Sequence, residues 1–273
     1  MRLTGLLILA FLWISCESEK ASTEVKALAE SDVDFDRQLV DQHVNAVLWF
    51  ARSAEAKVLF EQAYDHAAIK LQNNLKSTKG SPAVILDLDE TVLDNSPYEV
   101  ERIEAGVPYG SDTWKEWTAR GEAPILAGAM NFLNLADSLG VEIFYISNRK
   151  QVEMEGTLQN LIDLNVPNAD TSHIFLRTST SDKTERRARV LADHDVLVYL
   201  GDNLTDFSQS LADREISDLG MGAVNAISVD LKERFIMFPN PMYGEWEKAI
   251  YDNNYRISSE EKLAKRKEIL FGK

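Results

Sequence analysis

The stretch Ala83-Val84-Ile85-Leu86-Asp87-Leu88-Asp89-Glu90-Thr91-Val92-Leu93-Asp94 begins as an apolar run and then turns into a row of carboxylates. The run follows the breaker Gly80-Ser81-Pro82 and shows no polar–apolar alternation. That is the pattern of a short strand buried on both faces. Residues 83–88 are therefore read as a strand, and residues 141–146 and 196–200 have the same character. Shorter strands are expected at 173–176 and 226–229. Apolar residues recur at helical spacing over 127–139, 152–164 and 183–192, and again over 245–251 and 259–270. Upstream, the same spacing from Phe35 to about Leu75 is interrupted near Ser53, which gives two helices. Strand and helix alternate, so the expected fold class is α/β: a three-layer, Rossmann-like core with a mainly parallel sheet and helices on both faces.

The chain has 273 residues, 45% apolar and 27% charged, with 13 Gly and 7 Pro, which is the composition of a globular protein rather than of a disordered or fibrous one. Its formal net charge is −15. A surface so acidic repels phosphate backbones at long range, so no nucleic acid polymer is expected as a partner. Small phosphorylated ligands are disfavoured as well, unless a site carries its own cations.

The first fifteen residues are read as a signal peptide rather than as part of the fold. Arg2 is followed by a mostly apolar run over 3–14, too short for the roughly 20 apolar residues of a membrane span. The single cysteine of the chain, Cys16, follows at once. Leu12-Trp13-Ile14-Ser15-Cys16 resembles a bacterial lipobox, with Trp13 where such motifs usually carry Leu. The expectation is a lipidated Cys16, a flexible tether over 16–34 and a folded domain over 35–273. With one thiol in the chain, no intramolecular disulfide can form.

In a parallel sheet ligands bind outside the carboxyl ends of the strands. The residues there are Asp87-Leu88-Asp89-Glu90-Thr91 after the first strand, Ser147-Asn148-Arg149 after the second and Gly201-Asp202-Asn203-Leu204-Thr205-Asp206 after the late one, while Lys183 opens a helix able to reach the same edge. Taken alone, each has an ordinary structural reading as a turn, a helix cap or a solvated face. Their joint order is what points to chemistry. Asp87 and Asp89 alternate along an extended backbone, with Leu88 facing away. Such close like charges call for a cation, and hard oxygen ligands without His or Cys suit Mg²⁺. A carboxylate beside a metal is a competent nucleophile toward phosphorus.

This order of motifs resembles that of the haloacid dehalogenase (HAD) superfamily. More narrowly, Ile85 to Tyr98 together with Gly201-Asp202-Asn203-Leu204-Thr205-Asp206-Phe207 resembles the paired signature of class C bacterial acid phosphatases, the family of outer-membrane lipoprotein e. Flanking stretches agree: Trp49 to Glu55 before the core, and Phe238-Pro239-Asn240-Pro241-Met242-Tyr243-Gly244-Glu245-Trp246-Glu247 after it. The resemblance implies an Mg²⁺-dependent phosphomonoesterase at the bacterial cell envelope, an outer-membrane lipoprotein facing periplasm or surface. A small helical cap would come from both ends of the chain, and a homodimer is implied. Asp87 would be the nucleophile and Asp89 the general acid and base, with best activity below neutral pH. Asp87, Asp89 (through its backbone carbonyl) and Asp202 would hold the metal, supported by Asp206. Thr91 belongs to the first motif in a supporting role. Ser147, Asn148 and Lys183 would bind the phosphoryl oxygens. Tyr98, Trp114, Trp117, Tyr243 and Trp246 are aromatics available to stack on a base or aryl leaving group, with Tyr243 the foremost. The alternatives are a binding or storage protein on the same scaffold and a phosphoryl transferase.

Overall fold

A computed structural model describes residues 34–272, apart from 213, 215, 216, 218 and 219. Two long helices come first, α1 (Phe35–Arg52) and α2 (Ala54–Leu75). Ser53 separates them as a cap: its hydroxyl accepts the Ala56 amide at 3.0 Å and donates to the Trp49 carbonyl at 2.6 Å. Then follow β1 (Ser81–Leu86), α3 (Ser96–Ala105), α4 (Ser111–Arg120), α5 (Ala129–Ser138), β2 (Glu142–Lys150), α6 (Met154–Asp163), β3 (Ile174–Arg177), α7 (Thr184–Asp193) and β4 (His194–Gly201). The chain ends with α8 (Met221–Ala226), α9 (Ser228–Arg234), β5 (Phe235–Met237), α10 (Glu245–Ile250) and α11 (Ser259–Phe271). From Asp36 onward the described residues form one compact unit. Among the described residues, no helix is long and apolar enough to cross a membrane. The expected signal peptide and Cys16 lie outside the described residues.

The five strands pair in the order β3-β2-β1-β4-β5, all parallel. β1 is central and buried on both faces, as its unbroken apolar run requires. Val84 and Leu86 point into the larger core with Phe60, Tyr64 and Leu71 of α2 and Phe132 and Leu133 of α5. Ala83 and Ile85 point to the other face, against Phe144, Val190 of α7 and Phe207. This two-sided burial produces the three layers. Gly156 allows α4 to lie directly against α6, since a Cβ there would fall 2.8 Å from the Ala119 Cα. The terminal helices also meet: Arg266 of α11 donates to the Gln42 Oε1 of α1 at 3.1 Å.

One expected strand is corrected. Residues 226–229 run from the end of α8 through Ile227 into the start of α9, with Val229 66% exposed, and the edge strand is instead Phe235–Met237, which pairs with Tyr199–Gly201 of β4. Four apolar-leaning residues are too few to separate a period of 2 from one of 3.6. The pairing edge of β4 decides which segment becomes the strand.

At the amino ends of the strands, away from the carboxylate motifs, Glu142 joins His173 (2.9 Å) and His194 (2.7 Å), and His173 also meets Asp170 at 2.8 Å. The His173 ring thus has a carboxylate on each nitrogen. Burial pulls its pKa down, but the hydrogen bonds and charges of Asp170 and Glu142 outweigh this and hold it above the ordinary value. For Asp170, burial pushes upward and the bonds from Ser172 and His173 win, holding it at about 2. A raised histidine stabilises the fold below about pH 6.5, and that contribution disappears as pH rises through its folded pKa. The lowered Asp170 contributes above about pH 4 and is lost toward pH 2. His173→Gln should therefore destabilise the protein more at pH 5 than at pH 8. The loss should stay below about 1 kcal/mol for so exposed a set, or about 2–4 °C in Tm. Melting curves at the two pH values check this; an equal loss at both rules it out.

Candidate active site

The strand order reverses beside β1. The chain steps outward through β2 and β3 and then returns to β4 on the other side. A crevice at that reversal, outside the carboxyl ends, is where such sheets bind ligands. Asp87 and Asp202 stand there, immediately after β1 and β4, and the Asp87 amide donates to the Leu200 carbonyl at 2.9 Å, which continues the β1–β4 pairing one residue past the strand. Asp206 follows on a short turn, its Oδ2 accepting the Asn203 amide at 2.9 Å. Gly201 is required at this point, because a Cβ would lie 2.6 Å from the Asp206 Cβ.

Carboxylate oxygens of Asp87, Asp202 and Asp206 all lie within 4.8 Å of one another. Lys183, buried at the start of α7, bridges Asp87 and Asp206, the latter at 2.7 Å. Burial would lower the Lys183 pKa, but the charges of Asp206 and Asp87 raise it. The carboxylates show the opposite stress. Burial pushes Asp87 up to about 7, against the pull of Lys183 and with the push of Asp206 and Asp89. Asp202 is raised well above the carboxylate range, first by burial and then by Asp206 and Asp87, while Asn240 donates to its Oδ2 at 2.8 Å. Three carboxylates less one ammonium leave −2, the charge a divalent cation neutralises, and an all-oxygen donor set suits a hard one. The residues present therefore fit a divalent metal.

Asp89 is held differently. Its Oδ1 accepts Arg149 Nε (2.9 Å) and Asn95 Nδ2 (2.9 Å) and forms an ion pair with Arg149 Nη2 (2.8 Å), and the side chain stands outside the carboxylate cluster. The Ser147 hydroxyl approaches Asp89 Oδ2 at 3.3 Å. Asn148 is exposed, and Arg186 fixes it by donating to its Oδ1 at 2.8 Å. Glu90, between the motif residues, is fully buried at φ 58°, and burial, with the charges of Asp89 and Asp202, raises it well above its ordinary value. Thr91 is buried beneath the loop, where its carbonyl accepts the Tyr64 hydroxyl at 2.5 Å, and it does not reach the cavity.

A cavity of about 650 Å³ opens above this set and is lined by Asp87, Asp89, Asn148, Lys183, Asp202 and Asp206. Its outer wall carries His43 of α1, Glu99 and Arg102 of α3 and Lys262 of α11. Of the five aromatics named from the sequence, Trp114 and Tyr243 line it. Tyr98 and Trp117 are core, and Trp246 stands outside the lining, 42% exposed. Tyr109 and Tyr255 also line the cavity and were not legible in the sequence, because nothing in their local pattern marks them. Arg149 and Asn95 lie within the motif stretches, but nothing local marks their part, which rests on contacts among the loop after β1, the residue before α3 and β2.

Residues 10–246 match the family model described as HAD superfamily, subfamily IIIB (Acid phosphatase). The chain belongs to this family of phosphomonoesterases. It is also similar to the class C acid phosphatase from Bacillus anthracis, with 40% identity, a TM-score of 0.80 and coverage of 84% of this chain and 97% of that one. A second structure of that enzyme, with tungstate bound, matches with the same TM-score and identity. Acid phosphatase 1 of Solanum lycopersicum is 26% identical over 172 residues, and the chain spans 59% of that protein's length. The fold is accordingly of the HAD type, and the class of reaction is phosphomonoester hydrolysis.

The geometry makes a prediction about metal. Adding Mg²⁺ at a hundredfold excess over Kd to chelated protein should stabilise it by about 2.7 kcal/mol, or about 5–10 °C in Tm. Asp202→Asn should abolish most of that gain. An undiminished gain in the variant would place the metal elsewhere.

Proposed function

We propose that this chain is an Mg²⁺-dependent acid phosphatase that hydrolyses small phosphomonoesters, nucleoside monophosphates and aryl phosphates among them, through an aspartyl-phosphate on Asp87. The observation that carries the reading is the convergence of Asp87, Asp89 and Lys183 on one cavity beside a cluster of carboxylates fit for a divalent cation. Asp87, Asp202 and the Asp89 carbonyl, with Asp206 in support, would hold Mg²⁺, which would supply the positive charge that lets an anionic nucleophile meet an anionic phosphate.

The chain's own residues do the rest. An Asp87 carboxylate oxygen forms the new bond to phosphorus as the bond to the leaving oxygen breaks, and Asp89 gives that oxygen its proton. In the second half, Asp89 takes a proton from water. The water oxygen bonds to phosphorus, the bond to Asp87 breaks, and inorganic phosphate leaves. Lys183, Ser147 and Asn148 stabilise the phosphoryl oxygens as charge gathers on them. Tyr243 and Trp114 offer stacking faces for a base or aryl ring. The terminal helices α1 and α11, which supply part of the same wall, act as the cap. The apolar start and lone Cys16 support a lipid anchor at the bacterial envelope.

Phosphate release from nucleoside monophosphates and an aryl phosphate, before and after chelation and Mg²⁺ return, tests the reading. Metal-restored release that Asp87→Asn abolishes is the expected result. A folded, metal-loaded protein that releases nothing would favour a binding or storage role. For the anchor, Cys16→Ser should remove label in metabolic palmitate labelling, and full label in that variant would sink it.

A further inference from the structure

The largest fully buried side chain of the described residues is a cation, Arg149, 2% exposed. A buried guanidinium is costly unless its donors are met, and each use of this one is identifiable. Nε donates to Oδ1 of Asp89 at 2.9 Å, and Nη2 stands 2.8 Å from the same oxygen as an ion pair. Nη1 donates to Thr157 Oγ1 of α6 at 3.1 Å, and Nη2 also reaches Asn95 Oδ1 at 3.3 Å. Its Cζ lies over the Trp114 ring, 5.8 Å from the centroid. The Arg149 amide donates to Ser147 Oγ at 3.0 Å, where the β2–β3 register is irregular.

Asn95 completes the arrangement. Its Oδ1 accepts both Trp117 Nε1 (2.8 Å) and Arg149, so its Nδ2 is the end that faces Asp89 Oδ1, at 2.9 Å. Oδ1 therefore takes two N–H donors, one from Arg149 and one from Asn95, which occupy both of its lone pairs, with the Nη2 end of the guanidinium beside it. Oδ2 has only the Ser147 hydroxyl, at 3.3 Å.

We infer that Arg149 is a positioning residue for Asp89: by saturating Oδ1 it makes Oδ2 the oxygen that carries the proton to the leaving group. The inference rests on the role given to Asp89 above. A general acid matters in proportion to how badly the leaving oxygen needs a proton. The signature of lost positioning is thus a defect that depends on the leaving group. A merely structural role would lower activity on every substrate alike.

The experiment compares kcat/KM, which reports the steps through enzyme phosphorylation, for dinitrophenyl phosphate, phenyl phosphate and a nucleoside monophosphate. Arg149→Lys keeps the charge and loses the fork. It should lower kcat/KM for the nucleoside monophosphate by about 10²-fold and leave dinitrophenyl phosphate within about threefold. Thr157→Val, which removes only the Nη1 partner, should show the same ordering at smaller size and serves if Arg149→Lys does not fold. An equal loss across the three substrates, or no loss, overturns the inference while leaving the phosphatase reading intact. Absence of metal-dependent hydrolysis in the unaltered protein overturns the reading itself.

Discussion

The site is organised by the repulsion among Asp87, Asp202 and Asp206, whose oxygens are crowded within 4.8 Å in a buried corner. Like charges so placed would separate if the backbone allowed it. It does not, because β1 and β4 are paired along their length and the Asp87 amide is bonded to the Leu200 carbonyl. The stress appears instead in the side chains, as carboxyl groups pushed up and a lysine ammonium held between two of them. Sheet pairing thus stores a demand for positive charge that a divalent cation would meet.

Around that centre the two aspartates of the first motif have opposite surroundings. Asp87 faces the cluster and Lys183, whereas Asp89 is turned out of it and gripped by Arg149 and Asn95. The proposed mechanism asks for such a separation, since in it the nucleophile is an anion beside a metal and the proton donor changes charge during the reaction. Each aspartate has its own buried cation. The overall charge of −15 is therefore no bar to an anionic substrate, because the field that matters is set within a few ångströms.

Much of this was readable in advance. Buried strands are marked by apolar runs flanked by breakers, and residues 83–88, 141–146, 173–176 and 196–200 all fall on strands or their immediate ends. The strand expected at 226–229 failed because a short run carries no period, and the open edge of β4 took Phe235–Met237 instead. The aromatics divided for a similar reason: Trp114 and Trp117 share a helix, yet one lines the cavity and the other donates from the core to Asn95.

The sequence by itself determined the fold class, the order of the motifs and the residues at the strand ends, because hydrophobic period and turn chemistry are local properties written in neighbouring residues. Only the tertiary structure decided that Asp206 joins the carboxylate cluster, that Asp89 leaves it, that Thr91 stays beneath the loop and that Arg149 reaches Asp89. Those outcomes depend on side chains far apart in the chain, such as Asp89 and Arg149, which are brought together by strand register and by helix α6 behind them. No local pattern encodes such distances; they exist only once the sheet has closed.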